Sequence, residues 1–166
     1  MFPARHRAVV YTASGPVELD SEDPVEDGRL PVASAVGTWV VEMDPAVDRA
    51  GVALALSRRT AGGLQRIDDE SSWLTCTVAP DRSVDALLRA YRVIDHLVGS
   101  PSDQRRALRT RSIDRLTVKS RDVKVDPARV LRELGCREGS GPVLILTRRG
   151  GRMLSLLADA APERHA

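Results

Sequence analysis

Aromatic side chains are nearly absent from this chain, at 3% of its residues. The hydrophobic fraction is still 42%, too high for a disordered chain, so the core must be built mostly from Leu, Val, Ala and Ile. No apolar run approaches the ~18 residues that a membrane-crossing helix needs. The first residues, Met1 to Arg7, include basic ones but lead into no long apolar segment. No secretory signal is expected, and a cytoplasmic location is the default. Cysteine is scarce: Cys76 and Cys136 stand far apart without metal-ligand spacing and read as two reduced thiols. Of the three histidines, His6 and His165 lie near the ends, and His96 has no cysteine or carboxylate at metal spacing. Gly62-Gly63 and Gly150-Gly151 lack the rest of a phosphate-loop or dinucleotide fingerprint. No nucleophile has an evident base beside it. The acids Asp68, Asp69 and Glu70 read as a solvated turn. These absences set three expectations: no enzymatic activity, no cofactor and no metal.

Charge is abundant and unevenly spread. The net charge of +2 hides a split: residues 1–99 hold 10 Lys/Arg against 15 Asp/Glu, whereas residues 100–166 hold 15 against 8. Such asymmetry hints at nucleic-acid contact, or at a basic face beside an acidic body.

Taken in order, β-branched and aromatic clusters predict strands at Arg7–Thr12, Val17–Leu19, Thr38–Met43 and Trp73–Val78. Two further strands are expected at Val52–Ser57 and Gly63–Ile67, joined by a turn at Arg58-Arg59. Asp20 to Arg29 reads as an exposed acidic loop. Asp44 before Pro45 suits the start of a short helix, which Gly51 stops. Val84, Leu87, Leu88, Tyr91, Ile94 and Leu97 recur at helical spacing and predict one long helix, Arg82–Val98, covering a sheet. Gly99 to Ser102 ends it and marks a boundary. Residues 100–115 follow as a basic linker or short helix. Alternation predicts strands at Leu116–Lys119 and Val123–Val125.

The most informative stretch is the last. Asp126 and Pro127 cap a helix whose apolar face is Val130, Leu131 and Leu134, and Gly135 is placed to end it. Val143–Leu146 and Met153–Leu157 form an apolar hairpin around Arg148-Arg149-Gly150-Gly151, which needs a further strand, a helix or a second subunit to stand in water. Asp44-Pro45-Ala46 and Leu54 to Arg59 echo Asp126-Pro127-Ala128 and Leu144 to Arg149, as a degenerate duplication would. Basic residues crowd this region: Lys119, Arg121, Lys124, Arg129, Arg132, Arg148, Arg149 and Arg152.

The order strand, helix, hairpin resembles the Phd/YefM family of antitoxins, which are also operator-binding repressors. The match runs through Pro142, Val143, Thr147, Arg148, Arg149, Gly150 and Leu156, and the resemblance covers residues 116–158. It implies a small βαββ module that dimerises and places Lys119, Arg121, Arg129 and Arg132 against DNA.

The sequence therefore predicts an α+β protein. Residues 1–99 form a mostly antiparallel sheet with one long covering helix, and residues 116–166 form the βαββ module. The expected function is a dimeric cytoplasmic DNA-binding regulator of the antitoxin type, contacting DNA through Lys119, Arg121, Lys124, Arg129, Arg132, Arg148 and Arg149. A second reading is a protein-interaction module that binds a protein partner through residues 1–99. A third is a ligand-binding or enzymatic α+β domain with a polar pocket near Trp39 or Trp73.

Overall fold

A computed structural model describes residues 6–21 and 29–160. Most of the acidic loop expected between Asp20 and Arg29 lies outside the described residues. Two compact units are present: the chain up to Asp69 with Trp73–Ala90, and Glu70–Ser72 with the chain from Tyr91 on.

In the first unit, β1 (Arg7–Thr12) and β2 (Gly15–Asp20) form an antiparallel hairpin. Asp44 caps α1 (Pro45–Ala50) by accepting from Ala46 N at 2.8 Å, and Gly51 closes it in the left-handed conformation. β3 (Trp39–Met43) pairs antiparallel with β5 (Trp73–Cys76), which pairs in turn with the two-residue β4 (Gln65–Arg66). Val52–Ser57 is not a strand. It falls in α2 (Ala53–Arg59), where Ala and Leu follow their helical preference.

The long helix expected at Arg82–Val98 does not form. Asp81 caps only a single 3₁₀ turn, Arg82–Val84, and the chain then extends as β6 (Leu88–His96). The helical spacing came from joining two unlike pieces. Val84 and Leu87 are buried in the turn, whereas Leu88, Ala90 and Tyr91 are buried in the strand. A bulge between Val93 and Asp95 shifts the register again and leaves Ile94 44% exposed. Tyr91, Val93 and Ile94 are strand-favouring types, so local propensity and the final structure agree.

In the second unit, α3 (Pro101–Thr110), β7 (Arg115–Ser120), α4 (Pro127–Leu134), β8 (Arg137–Arg149) and β9 (Arg152–Ala160) follow β6. Strand order across the whole sheet is β4-β5-β3-β6-β9-β8-β7, with β1 and β2 apart as their own pair. The sheet is mixed: β7 and β8 run parallel, while β9 is antiparallel to both β8 and β6. The α+β layout of an antiparallel sheet under one long helix, followed by a separate βαββ module, is thus replaced by a seven-stranded mixed sheet. The expected hairpin is real, but β6 flanks it on one side and β7 on the other. Val123–Val125 is a loop, not a strand.

Parallel neighbours need a crossover, and α4 supplies it. Asp126 accepts from Ala128 N at 3.0 Å, Pro127 presets the first turn, and Gly135 ends the helix at φ +70°. Leu131 and Leu134 of α4 and Leu108 of α3 pack with Leu116, Leu144, Leu146 and Leu157 from the strands. Each fully buried Leu contributes roughly 1.5–3 kcal/mol. The duplication suggested by the repeated Asp-Pro-Ala holds only for the capped helices, because Leu54–Arg59 is helical where Leu144–Arg149 is extended. Among the described residues, no helix is long and apolar enough to cross a membrane.

Candidate nucleic-acid interface

Because β7 and β8 are parallel, their carboxyl ends fall on the same edge of the sheet. β9 runs the other way, so its first residue, Arg152, starts at that edge opposite Arg149. Arg121 and Lys124 follow the end of β7, and Arg148 and Arg149 end β8. Five cations from two separate stretches, the loop after β7 and the β8–β9 hairpin, therefore lie at one end of the second unit. Gly150 and Gly151, at φ +55° and +73°, allow the tight β8–β9 turn that carries three of them. Carboxyl ends of parallel strands are a recurrent place for ligands in mixed sheets.

Two acids at this edge are occupied. Asp126 caps α4. Asp122 accepts from Ser71 Oγ at 2.9 Å, Ser72 Oγ at 2.6 Å and Thr147 Oγ1 at 3.2 Å. Elsewhere in the same unit two arginines are matched with carboxylates. Arg137 meets Asp114 at 2.7 Å and holds its carboxyl below the usual range. Arg111 meets Asp95 at 2.5 Å. Lys124, Arg148 and Arg152 make no ion pair with any described residue. Lys124, Arg148 and Arg152 thus leave positive charge at the carboxyl edge without a carboxylate partner among the described residues.

The structure brings together four of the seven residues expected to contact DNA: Arg121, Lys124, Arg148 and Arg149. The other three lie apart. Lys119 is half-buried in β7 with its Nζ 5.4 Å from the centre of the Tyr91 ring, a cation–π contact that directs it across the sheet. Arg129 stands in the first turn of α4, but its Nε donates to Glu133 Oε1 at 2.7 Å, which draws it along the helix. Arg132 sits in the last turn of α4, where a cation favours the helix dipole. Sequence reasoning missed the polar set around Asp122. No local signal joins Asp122 to Ser71 and Ser72, about fifty positions away. Arg105 was missed likewise; its guanidinium donates to the Glu133 carbonyl and ties α3 to α4.

The titrating thiols carry no reactive signature. Burial pushes Cys76 up to about 11, and burial with the nearby Asp114 charge raises Cys136. Among the described residues no group of three or more His, Cys, Asp or Glu side chains is arranged to hold a metal ion.

Residues 88–160 match the family described as THUMP domain-like. The match runs from the start of β6 to the end of β9 and so contains the whole carboxyl edge. It overturns the resemblance to Phd/YefM antitoxins, and with it the expected operator DNA, transcriptional regulation and antitoxin role. The βαββ order that suggested them is a segment of a larger arrangement that already begins at β6. A crystal structure from Porphyromonas gingivalis W83, described as a "putative methyltransferase", superimposes with a TM-score of 0.68 at 16% identity. The superposition covers 87% of this chain and 35% of that one. No curated protein matches the chain. The chain is therefore similar to THUMP-like domains from β6 to β9, and it shares its fold with about a third of a larger solved chain.

Proposed function

We propose that this chain is an RNA-binding module, active in the cytoplasm, that presents RNA to a methyltransferase and does no bond-making chemistry of its own. THUMP domains bind RNA and partner with methyltransferases. The observation that carries the reading is that the basic edge lies wholly within the residues that match the THUMP-like family. Arg121, Lys124, Arg148, Arg149 and Arg152 would meet phosphates, and such contacts make binding salt-dependent.

The test is a polarisation titration of a fluorescein-labelled RNA hairpin with a single-stranded tail, repeated over a salt series. The log–log slope against salt should be steep, at roughly 0.7–0.9 per phosphate neutralised. Arg148→Glu combined with Arg149→Glu should weaken binding about tenfold or more and flatten that slope. Arg137→Glu, at the opposite end, should change it little. Failure of the wild type to hold RNA at low salt, or equal binding by the double variant, would refute the reading.

A further inference from the structure

The reading of the carboxyl edge as an RNA surface leaves one residue out of place. Asp122 puts a carboxylate between Arg121 and Lys124, where it should repel phosphate. Its surroundings account for it. Both oxygens are engaged: Ser72 Oγ donates to Oδ1 at 2.6 Å, Ser71 Oγ to Oδ2 at 2.9 Å and Thr147 Oγ1 to Oδ2 at 3.2 Å, with Ser72 N within 3.2 Å of both. Thr147 is fully buried in β8 and Ser71 is buried beside it, their hydroxyls 3.1 Å apart. Hydrogen bonds to an ionised acceptor are the strong kind.

The loop that holds Asp122 is fixed by side chains, with Val125 packed against the leucine core beside Val123. Among the described residues, residues 122–125 make no main-chain hydrogen bond outside the helices and strands. Val123 is anchored in the leucine core on the helix side. Asp122 is anchored in the hydroxyl cluster, so the two neighbours hold the loop between them. Arg121 and Lys124 flank this pair directly.

We propose that Asp122 is a positioning residue: its hydroxyl-bound carboxylate sets the course of the loop after β7 and so preorganises Arg121 and Lys124 for RNA phosphates. The inference rests on the RNA-binding reading above. It makes a prediction opposite in sign to simple charge counting. Removing a negative charge from a basic edge should tighten RNA binding by Coulomb attraction alone. Removing a positioning carboxylate should weaken it, because the freed loop must be ordered again on binding.

The experiment compares wild type, Asp122→Ala, Arg121→Ala with Lys124→Ala, and the triple variant, all with the same labelled RNA hairpin. Limited trypsin digestion gives a readout that needs no RNA, since trypsin cuts after Arg121 and Lys124. Asp122→Ala should bind several-fold more weakly, and trypsin should cut it faster at those two sites. It should cost nothing further in the Arg121→Ala, Lys124→Ala background. Ser72→Ala, which keeps the net charge, should move both readouts in the same direction and serves if Asp122→Ala does not fold. Wild type that binds while Asp122→Ala and Ser72→Ala bind equally well or more tightly would overturn the positioning role alone. A loss that adds in full to that of the double variant would do the same. Wild type that does not bind would remove the RNA reading and this inference together.

Discussion

At the scale of single residues, the burial of the thiols and the capping of α3 give measurable consequences. Cys76 is buried, with its thiol pushed up to about 11. Cys136 is half-buried and raised less. Timed alkylation near neutral pH, read by mass spectrometry, should label Cys136 slowly and Cys76 only on unfolding. At the start of α3, Ser100 and Asp103 hydrogen-bond each other reciprocally. The Ser100 hydroxyl and amide hold the Asp103 carboxyl below its ordinary 3.8, with Arg106 adding to the effect. A carboxylate held lower in the folded state contributes stability above its unfolded value and loses it as pH falls through the folded one. Ser100→Ala should therefore be less stable than wild type at neutral pH, and the gap should narrow below about pH 4 in acid-unfolding curves. The cap at Ser100 was not read from the sequence, whereas Asp44 and Asp126 were legible as caps because each is followed directly by proline.

At the scale of elements, the helix α4 and the strand β6 show why some structure is readable and some is not. α4 carries all its instructions within itself: Asp126, Pro127, the apolar face and Gly135. Gly135→Ala should cost about 1 kcal/mol in thermal unfolding, because φ +70° suits only glycine well. The strain is conformational, since the nearest atoms to the added Cβ lie 3.5 Å away on the Arg105 side chain. β6 carries a contradictory pattern, in which a 3₁₀ turn, a strand and a bulge together imitate helical spacing. Strand propensity and pairing with β9 together decide it. Leu144 shows how much the hairpin depends on what covers it. It is fully buried opposite Leu157, and Leu144→Ala should cost about 2–5 kcal/mol in denaturant unfolding.

At the scale of the whole molecule, binding and stability are linked. RNA at a hundred times its dissociation constant should raise stability by about 2.7 kcal/mol, seen as a rise in Tm that shrinks as salt increases. The Arg148→Glu, Arg149→Glu variant, bound about tenfold more weakly, should show about half of that rise at the same RNA concentration. The sequence by itself determined the leucine-rich core, the capped helices, the β8–β9 hairpin and the surplus of positive charge beyond residue 100. All of these follow from local preference or from composition. It did not determine which strands lie side by side, and its strand–helix–hairpin order suited a DNA-binding antitoxin as well as the fold that formed. Tertiary structure decided that β7 lies parallel to β8 and that β9 reaches β6. That choice gathered Arg121, Lys124, Arg148, Arg149 and Arg152 on one edge, sent Lys119 toward Tyr91 and tied Asp122 to Ser71 and Ser72. Strand pairing and long-range hydrogen bonds join residues tens of positions apart, and no local pattern in the chain records them.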